Sequence, residues 1–231
     1  NTTGAIAFGI LNIANTGGAG VEVTIADRSG VTDVSAAAVN VNDGKLSVAS
    51  GGSLDVNGTV TVQTTADSSL ELLGTATMTV SGDWTATGAA TAPFALASGT
   101  TVTFDGSGAQ SIGGASAVSY GFGLLVVSNT GGAVSVANRG SSPDVSAASL
   151  TINDGTMSLA TGTLLDVNGN LTVQTAADAE LEMLGSASAT VSGNIAVTAG
   201  LFDAQGTSTV TLDGAAQTIT TSTAGDRDFI N

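Results

Sequence analysis

The chain has 231 residues, is 42% hydrophobic but only 3% aromatic, and carries 19 acidic against 4 basic side chains, a net charge of −15. That balance repels phosphate backbones and anionic headgroups, which argues against nucleic acid and membrane surfaces as partners, and no apolar run approaches the ~20 residues of a membrane-spanning helix. With neither Cys nor His, disulfides, thiol chemistry, the commonest general base and the commonest transition-metal ligand are all missing.

The chain opens with an apolar stretch, "NTTGAIAFGIL", in which no cleavable leader is visible. Because residue 1 is Asn, the expectation is a processed chain or a piece of a longer one. Phe8-Gly-Ile-Leu and the "NTGG" at 15–18 return as Phe122-Gly-Leu-Leu and "NTGG" at 129–132. From residue 34 onward, short alternating runs end in turn signals: "AVNVNDG", "SLDVNG", "TVTVQ", "LELLG", "TMTVSG", "TVTFDG". Alternation gives each run one inward apolar row and one outward Ser/Thr/Asp row, and the Gly corners are expected to supply positive φ. Helical periodicity is absent, so the chain is all-β.

The second half repeats the first. Residues 33–82 align on 144–193 without a gap, at an offset of 144 − 33 = 111, with 31 of 50 positions identical. "VTFDGSGAQSI" at 102–112 likewise returns as "VTLDGAAQTI" at 210–219. Such a long internal period has to be read before any single motif. Within it a shorter period appears: Val39, Val60 and Trp84 are 21 and 24 residues apart, and Leu150, Leu171, Ile195 and Ile219 are 21, 24 and 24 apart. Three short strands and three turns have that length, which favours a three-sheet parallel β-solenoid of about eight coils over a hairpin sandwich. Asn57 with Ser81 and Asn168 with Ser192 are expected to stack at turns. No linker interrupts the coils, so 1–231 is expected to be one continuous solenoid with 1–113 and 114–231 as its two homologous halves.

The segment "TVSGDWTATGAATAPFALASGTTVTFDGSGAQSI" and its second-half counterpart resemble the right-handed parallel β-helix repeats of bacterial adhesins, autotransporter passengers and long surface stalks. Trp84, Phe104 and Gln110, then Leu125 and "SNTGG", sit where those repeats carry the same residues. The resemblance covers almost the whole chain. It implies a right-handed helix and secretion to the cell surface or beyond, and it is nearly silent on activity, because this repeat is a scaffold in proteins of many kinds. With no catalytic cluster in the sequence, the expectation is a structural or adhesive extracellular element, not an enzyme.

Individual residues admit other chemistry. Asp55 and Asp166, each beside an Asn-Gly corner, are the best candidates for a Ca2+ ligand, although the glycine-rich nonapeptide of calcium β-rolls is absent and turn chemistry explains the corners. Thr-x-Thr at 59/61, 77/79, 101/103 and 209/211 could form an ice-binding array, but β-branched polar residues also suit any outward strand face. Glu71 and Glu182 alternate outward between inward leucines, while Arg28 and Arg139 could pair with local Asp. Trp84, Tyr120 and Phe122 could stack on surface glycans, with a polysaccharide-binding or -cleaving module as the alternative to a structural role. Asn57 and Asn170 head Asn-x-Thr sequons.

The ends carry the strongest functional expectation. "NTTGAIAFGIL" is in phase with 114–125, and "AGDRDFIN" breaks off at Phe229, the counterpart of Phe122. Neither end reads as a cap, so the chain is either a segment of a longer array or a subunit that stacks head to tail. The expected interface comprises Ile10, Leu11, Ile13, Gln217 and Ile219, with Asp226, Arg227, Asp228 and Phe229 at the rim.

Overall fold

The computed structural model describes residues 4–17, 21–29, 32–63, 68–87, 93–114, 118–174 and 178–221. Among them there is no helix, and the strand pairings are parallel throughout. The chain winds as a parallel β-solenoid with three faces. Rungs of the first face are Ile6, Val34, Leu54, Met78, Val102, Leu125, Leu150, Leu171, Ile195 and Ile219. Eight turns therefore carry the chain from Ile6 to Ile195, and one more reaches Ile219. The second face runs through Leu11, Val39, Val60, Trp84, Ile112, Val136, Leu159, Met183 and Ala204. On the third face, Val23, Leu46, Leu70 and Phe94 are followed by Tyr120, Val145, Leu165, Ala189 and Val210, the step from Phe94 to Tyr120 being a ring contact at 5.1 Å.

The period read from the sequence is thus the coil. Val39, Val60 and Trp84 are successive rungs, as are Leu150, Leu171, Ile195 and Ile219. Strict alternation puts Leu54, Val56, Val60, Val62, Leu165, Val167, Leu171 and Val173 in the core, while Asp55, Thr61, Asp166 and Thr172 between them stay half-exposed. The core is a column of aliphatic side chains, widened at mid-length by five rings: Trp84, Phe94, Phe104, Tyr120 and Phe122.

Equivalent strands of the duplication occupy different faces. Leu54-Asp55-Val56 lies on the first face, and its copy Leu165-Asp166-Val167 on the third. Val60-Thr61-Val62 lies on the second face and Leu171-Thr172-Val173 on the first; the strand at Leu70–Leu72 lies on the third and its copy at 181–183 on the second. From Val34 the first face is met again at Leu54, Met78, Val102 and Leu125, four coils on, and two further faces lead to Val145. The 111-residue period therefore spans four and two-thirds coils.

Polar side chains brace the turns from inside. Asp33 accepts hydrogen bonds from the Arg28 amide at 2.8 Å, the Ser53 amide at 2.7 Å and the Ser53 hydroxyl at 3.1 Å. Its copy Asp144 accepts from the amides of Arg139 and Leu164, both at 2.9 Å, and from the Ser141 hydroxyl at 2.8 Å. Gln110 reaches back one coil: its amide donates to the carbonyls of Val80 and Gly82 at 2.8 and 2.7 Å and accepts from the Gly106 N–H at 3.0 Å. Asn129, the buried Asn of the second "NTGG", donates to Gly108 and Gln110 at 2.7 Å and accepts from the Gly131 and Gly132 amides. Buried polar atoms satisfied in this way fix the turn geometry, because losing one partner leaves the other desolvated and unpaired.

The Gly corners divide into two kinds. Gly44 and Gly155, after Asp43 and Asp154, have φ of 74° and 70°, as expected, whereas Gly106 and Gly214 of the other two Asp-Gly corners are not left-handed. Gly58 of the Asn-Gly corner is not left-handed; a Cβ there would lie 2.2 Å from the Ala37 carbonyl oxygen. Glycine is needed at that corner because the neighbouring coil passes too close for a side chain.

Burial on its own would raise the pKa of Asp33, but the amide and hydroxyl donors of Ser53 and the Arg28 amide outweigh it and hold the carboxyl below its ordinary 3.8. A folded pKa below the unfolded one contributes stability that is complete above about pH 4 and is lost as pH falls through the folded value. Asp33→Asn is therefore expected to flatten the acid limb of the stability profile measured by circular dichroism. An acid limb identical to the parent's would assign it to other carboxyls.

Candidate functional site

The outermost coils differ from the inner ones in one respect: positions that are core inside the rod are open at its ends. Phe8 is 43% exposed and its copy Phe122 5%; Leu212 is 40% exposed and its counterpart Phe104 0%; Ile219 is 48% exposed and Ile112 0%. At the N-terminal end Ile6, Phe8, Leu11, Val23, Ile25 and Val34 line an open cavity of about 320 Å³, with Arg28 at its edge. At the other end lie Val210, Leu212 and Ile219.

Of the residues named from sequence, Ile10 and Ile219 are exposed, and Leu11 is half-buried against the core. Ile13 is buried in the column on its rung partner Val41. Gln217 acts as a brace like Gln110, donating to the carbonyls of Val191 and Gly193 at 2.7 and 2.6 Å and accepting from the Gly214 N–H at 2.9 Å. Asp226, Arg227, Asp228 and Phe229 lie outside the described residues.

Elsewhere the structure redirects several expectations. The aromatics considered for glycan stacking, Trp84, Tyr120 and Phe122, are interior; a position whose copy is Ile195 has to suit the core. Tyr120 donates its hydroxyl hydrogen to the Gly113 carbonyl and accepts from the Ala86 amide at 2.9 Å, and burial raises its pKa. The Arg139 guanidinium stacks on the Tyr120 ring at 3.8 Å and donates to the Asp144 carbonyl oxygen, while the Arg139 backbone amide donates to the Asp144 carboxylate. Burial lowers the pKa of its guanidinium.

The outward Thr row is broken: along the first face it reads Ser35, Asp55, Thr79, Thr103, Val126, Thr151, Thr172, Ala196, Thr220. Asp55, in this row, and Asp166, facing outward on the third face, are both engaged. Asp55 accepts from the Thr79 hydroxyl at 2.7 Å and from the Asn57 amide at 3.4 Å; Asp166 accepts from Asn168 at 3.5 Å. Among the described residues no three acidic side chains converge as a metal site would require.

Asn57 and Ser81, like Asn168 and Ser192, follow the paired residues Val56 and Val80 or Val167 and Val191 and so line up at the turns as expected, while the Ser81 and Ser192 hydroxyls donate onward to the next coil's Asp105 and Asp213, at 2.9 and 2.7 Å. Glu71 and Glu182 point outward but are occupied. Lys45 bridges Glu71 at 3.1 Å and Glu22 at 3.4 Å, and Ser158 donates to Glu182 at 2.6 Å. The hydrogen bond to Glu71 raises the Lys45 pKa. Two carboxyls, Asp154 and Asp178, meet across neighbouring coils, and their shared hydrogen bond raises the Asp154 pKa.

What sequence reasoning missed are the internal braces Asp33, Asp144 and Asn129. Their signal was available in part, since the Asp at 33 and 144 begins the duplicated block and the Asn is the fixed letter of both "NTGG" copies. Comparison with protein-family models, curated proteins and solved structures finds no match to this chain.

Proposed function

We propose that this chain is a structural or adhesive rod of an extracellular surface that lengthens by end-to-end stacking, on copies of itself or on neighbouring repeats of a longer chain. One observation carries the reading: Phe8, Leu212 and Ile219, open on the outermost coils, are the equivalents of Phe122, Phe104 and Ile112, which are buried where the two halves meet. The sequence resemblance to bacterial surface repeats supports secretion and a bacterial source. A rod of stacked coils transmits load through continuous backbone ladders, and adds length without new design because each coil contacts only its neighbours. The acidic coat keeps such rods dispersed laterally.

Sedimentation and negative-stain electron microscopy over a range of micromolar concentrations test the proposal, with species of one rod width and multiples of one rod length as the expected result. Because copies carrying −15 each repel one another, length is expected to rise as salt is raised from 10 to about 150 mM, where the screening distance falls from about 30 to about 8 Å. A strictly monomeric species at every concentration and salt would overturn the proposal.

A further inference from the structure

The internal meeting of the two halves specifies how two copies would meet. There, Val102 and Phe104 on the first face carry Leu125 and Val127, and Ile112 on the second carries Val136. On the third face Phe94 carries Tyr120. By the duplication, the lower members correspond to Val210, Leu212, Ile219 and Phe202, and the upper ones to Leu11, Ile13, Ile25 and Ile6. In one copy, however, Val210 lies on the third face whereas Leu11 lies on the second, and Ile219 lies on the first whereas Ile25 lies on the third. The two ends are therefore out of phase by one face.

We propose that a second copy of this chain docks on the last coil in the register of the internal junction, turned by one face about the rod axis. Its strand at 10–13 lies over the strand at Thr209–Leu212, its Val23 and Ile25 lie over Gln217 and Ile219 as Val134 and Val136 lie over Gln110 and Ile112, and its Ile6 and Phe8 lie over Phe202. The step from one copy to the next is nine and one-third coils, twice the four and two-thirds of the internal period. At about 4.8 Å per coil that is a rise of about 45 Å. The same side of the protein thus points in three directions along a stack and comes back into line at every third copy.

Each docked strand completes a ladder. The Leu124 amide donates to the Thr100 carbonyl at 2.7 Å inside the chain; across the new junction the equivalent pair is the Ile10 amide of one copy and the Ser208 carbonyl of the next. The occupant is a second copy because the apolar equivalents match position by position, and a free solenoid edge is an open template for such a strand.

The inference rests on the stacking proposed above, and the test separates the two. The chain contains no Cys, so paired substitutions report contacts without background. Thr211→Cys with Asn12→Cys probes the turned register, because these are the equivalents of the paired Thr103 and Val126; both positions are exposed. Gln205→Cys with Asn12→Cys, both exposed, probes the unturned register, second face on second face, because the rung of Leu11 ends at Ala204. Neither pair can close within one chain, whose ends lie eight coils apart.

The expected result under mild oxidation is a ladder of linked dimers and longer species from the Thr211/Asn12 pair, and little from the Gln205/Asn12 pair. Helical reconstruction of the stacks should give a turn near one-third of a revolution per copy. Linking by the Gln205/Asn12 pair alone would overturn the turned register and leave stacking standing. No linking by either pair, in proteins that melt like the parent and sediment as monomers, would overturn both.

Discussion

Val62→Asp and Val173→Asp are each expected to destabilise the rod by about 4 kcal/mol or more. Val62 is stacked between Val41 and Ala86, and Val173 between Ile152 and Val197, with no solvent access. A carboxylate at either place is enclosed by aliphatic carbon on the rungs above and below, so it loses its hydration and gains no partner. The side chain has no route outward, because rotating it to solvent means slipping the strand by one residue, which would bury Thr61 and its neighbour in exchange. Thermal and urea unfolding followed by circular dichroism are the measurements. Melts matching the parent for both variants would mean that these valines do not face the column. Since coils touch only adjacent coils, the damage should begin locally, and hydrogen exchange should show protection lost first around the substituted coil.

Trp84→Ala is expected to cost about 3 to 5 kcal/mol, by emptying the widest part of the core. The indole lies 4.8 Å from the Phe94 ring, 5.5 Å from Phe122 and 6.2 Å from Phe104, and these rings come from both halves. Its loss therefore removes the packing that joins the first repeat to the second. Trp84→Phe is expected to cost far less than the alanine variant. It keeps a ring in the cluster, and the indole N–H it removes is buried without a hydrogen-bond acceptor among the described residues. Chemical denaturation separates the two variants. Equal losses would show that the indole's particular shape, not the presence of a ring, holds the junction.

How much of this was legible in the sequence depends on how local the signal was. Val39, Val60 and Trp84, or Leu150, Leu171 and Ile195, announce both coil and core, because alternation and spacing are properties of the chain itself. The enclosure of Trp84 was foreshadowed by Ile195 at the duplicate position. The face on which each duplicate lands was not legible. Coils vary in length, from 20 residues between Val34 and Leu54 to 28 between Ile6 and Val34, so an offset of 111 does not disclose a non-integral number of turns. The role of Asp33 was hidden for a different reason: a carboxylate at the head of an alternating run reads as surface until three donors from 28 and 53 are seen to converge on it. At the ends, the apolar pattern of 6–11 was visible, whereas its exposure relative to Phe122 is a property of the stacked column.

A duplication that is not a whole number of turns also says something about how such chains can be altered. The triplet Leu-Asp-Val folds at 54–56 against one wall and at 165–167 against another, with the same inward leucine and valine. A strand's sequence therefore does not encode which wall it joins; the count of strands preceding it does. Insertion or loss of one strand and its turn by unequal recombination would leave every downstream residue alternating correctly and every rung filled with an aliphatic side chain, and would change only the compass bearing of the later coils. A gene built this way can vary where its surface features point without first having to evolve a new core.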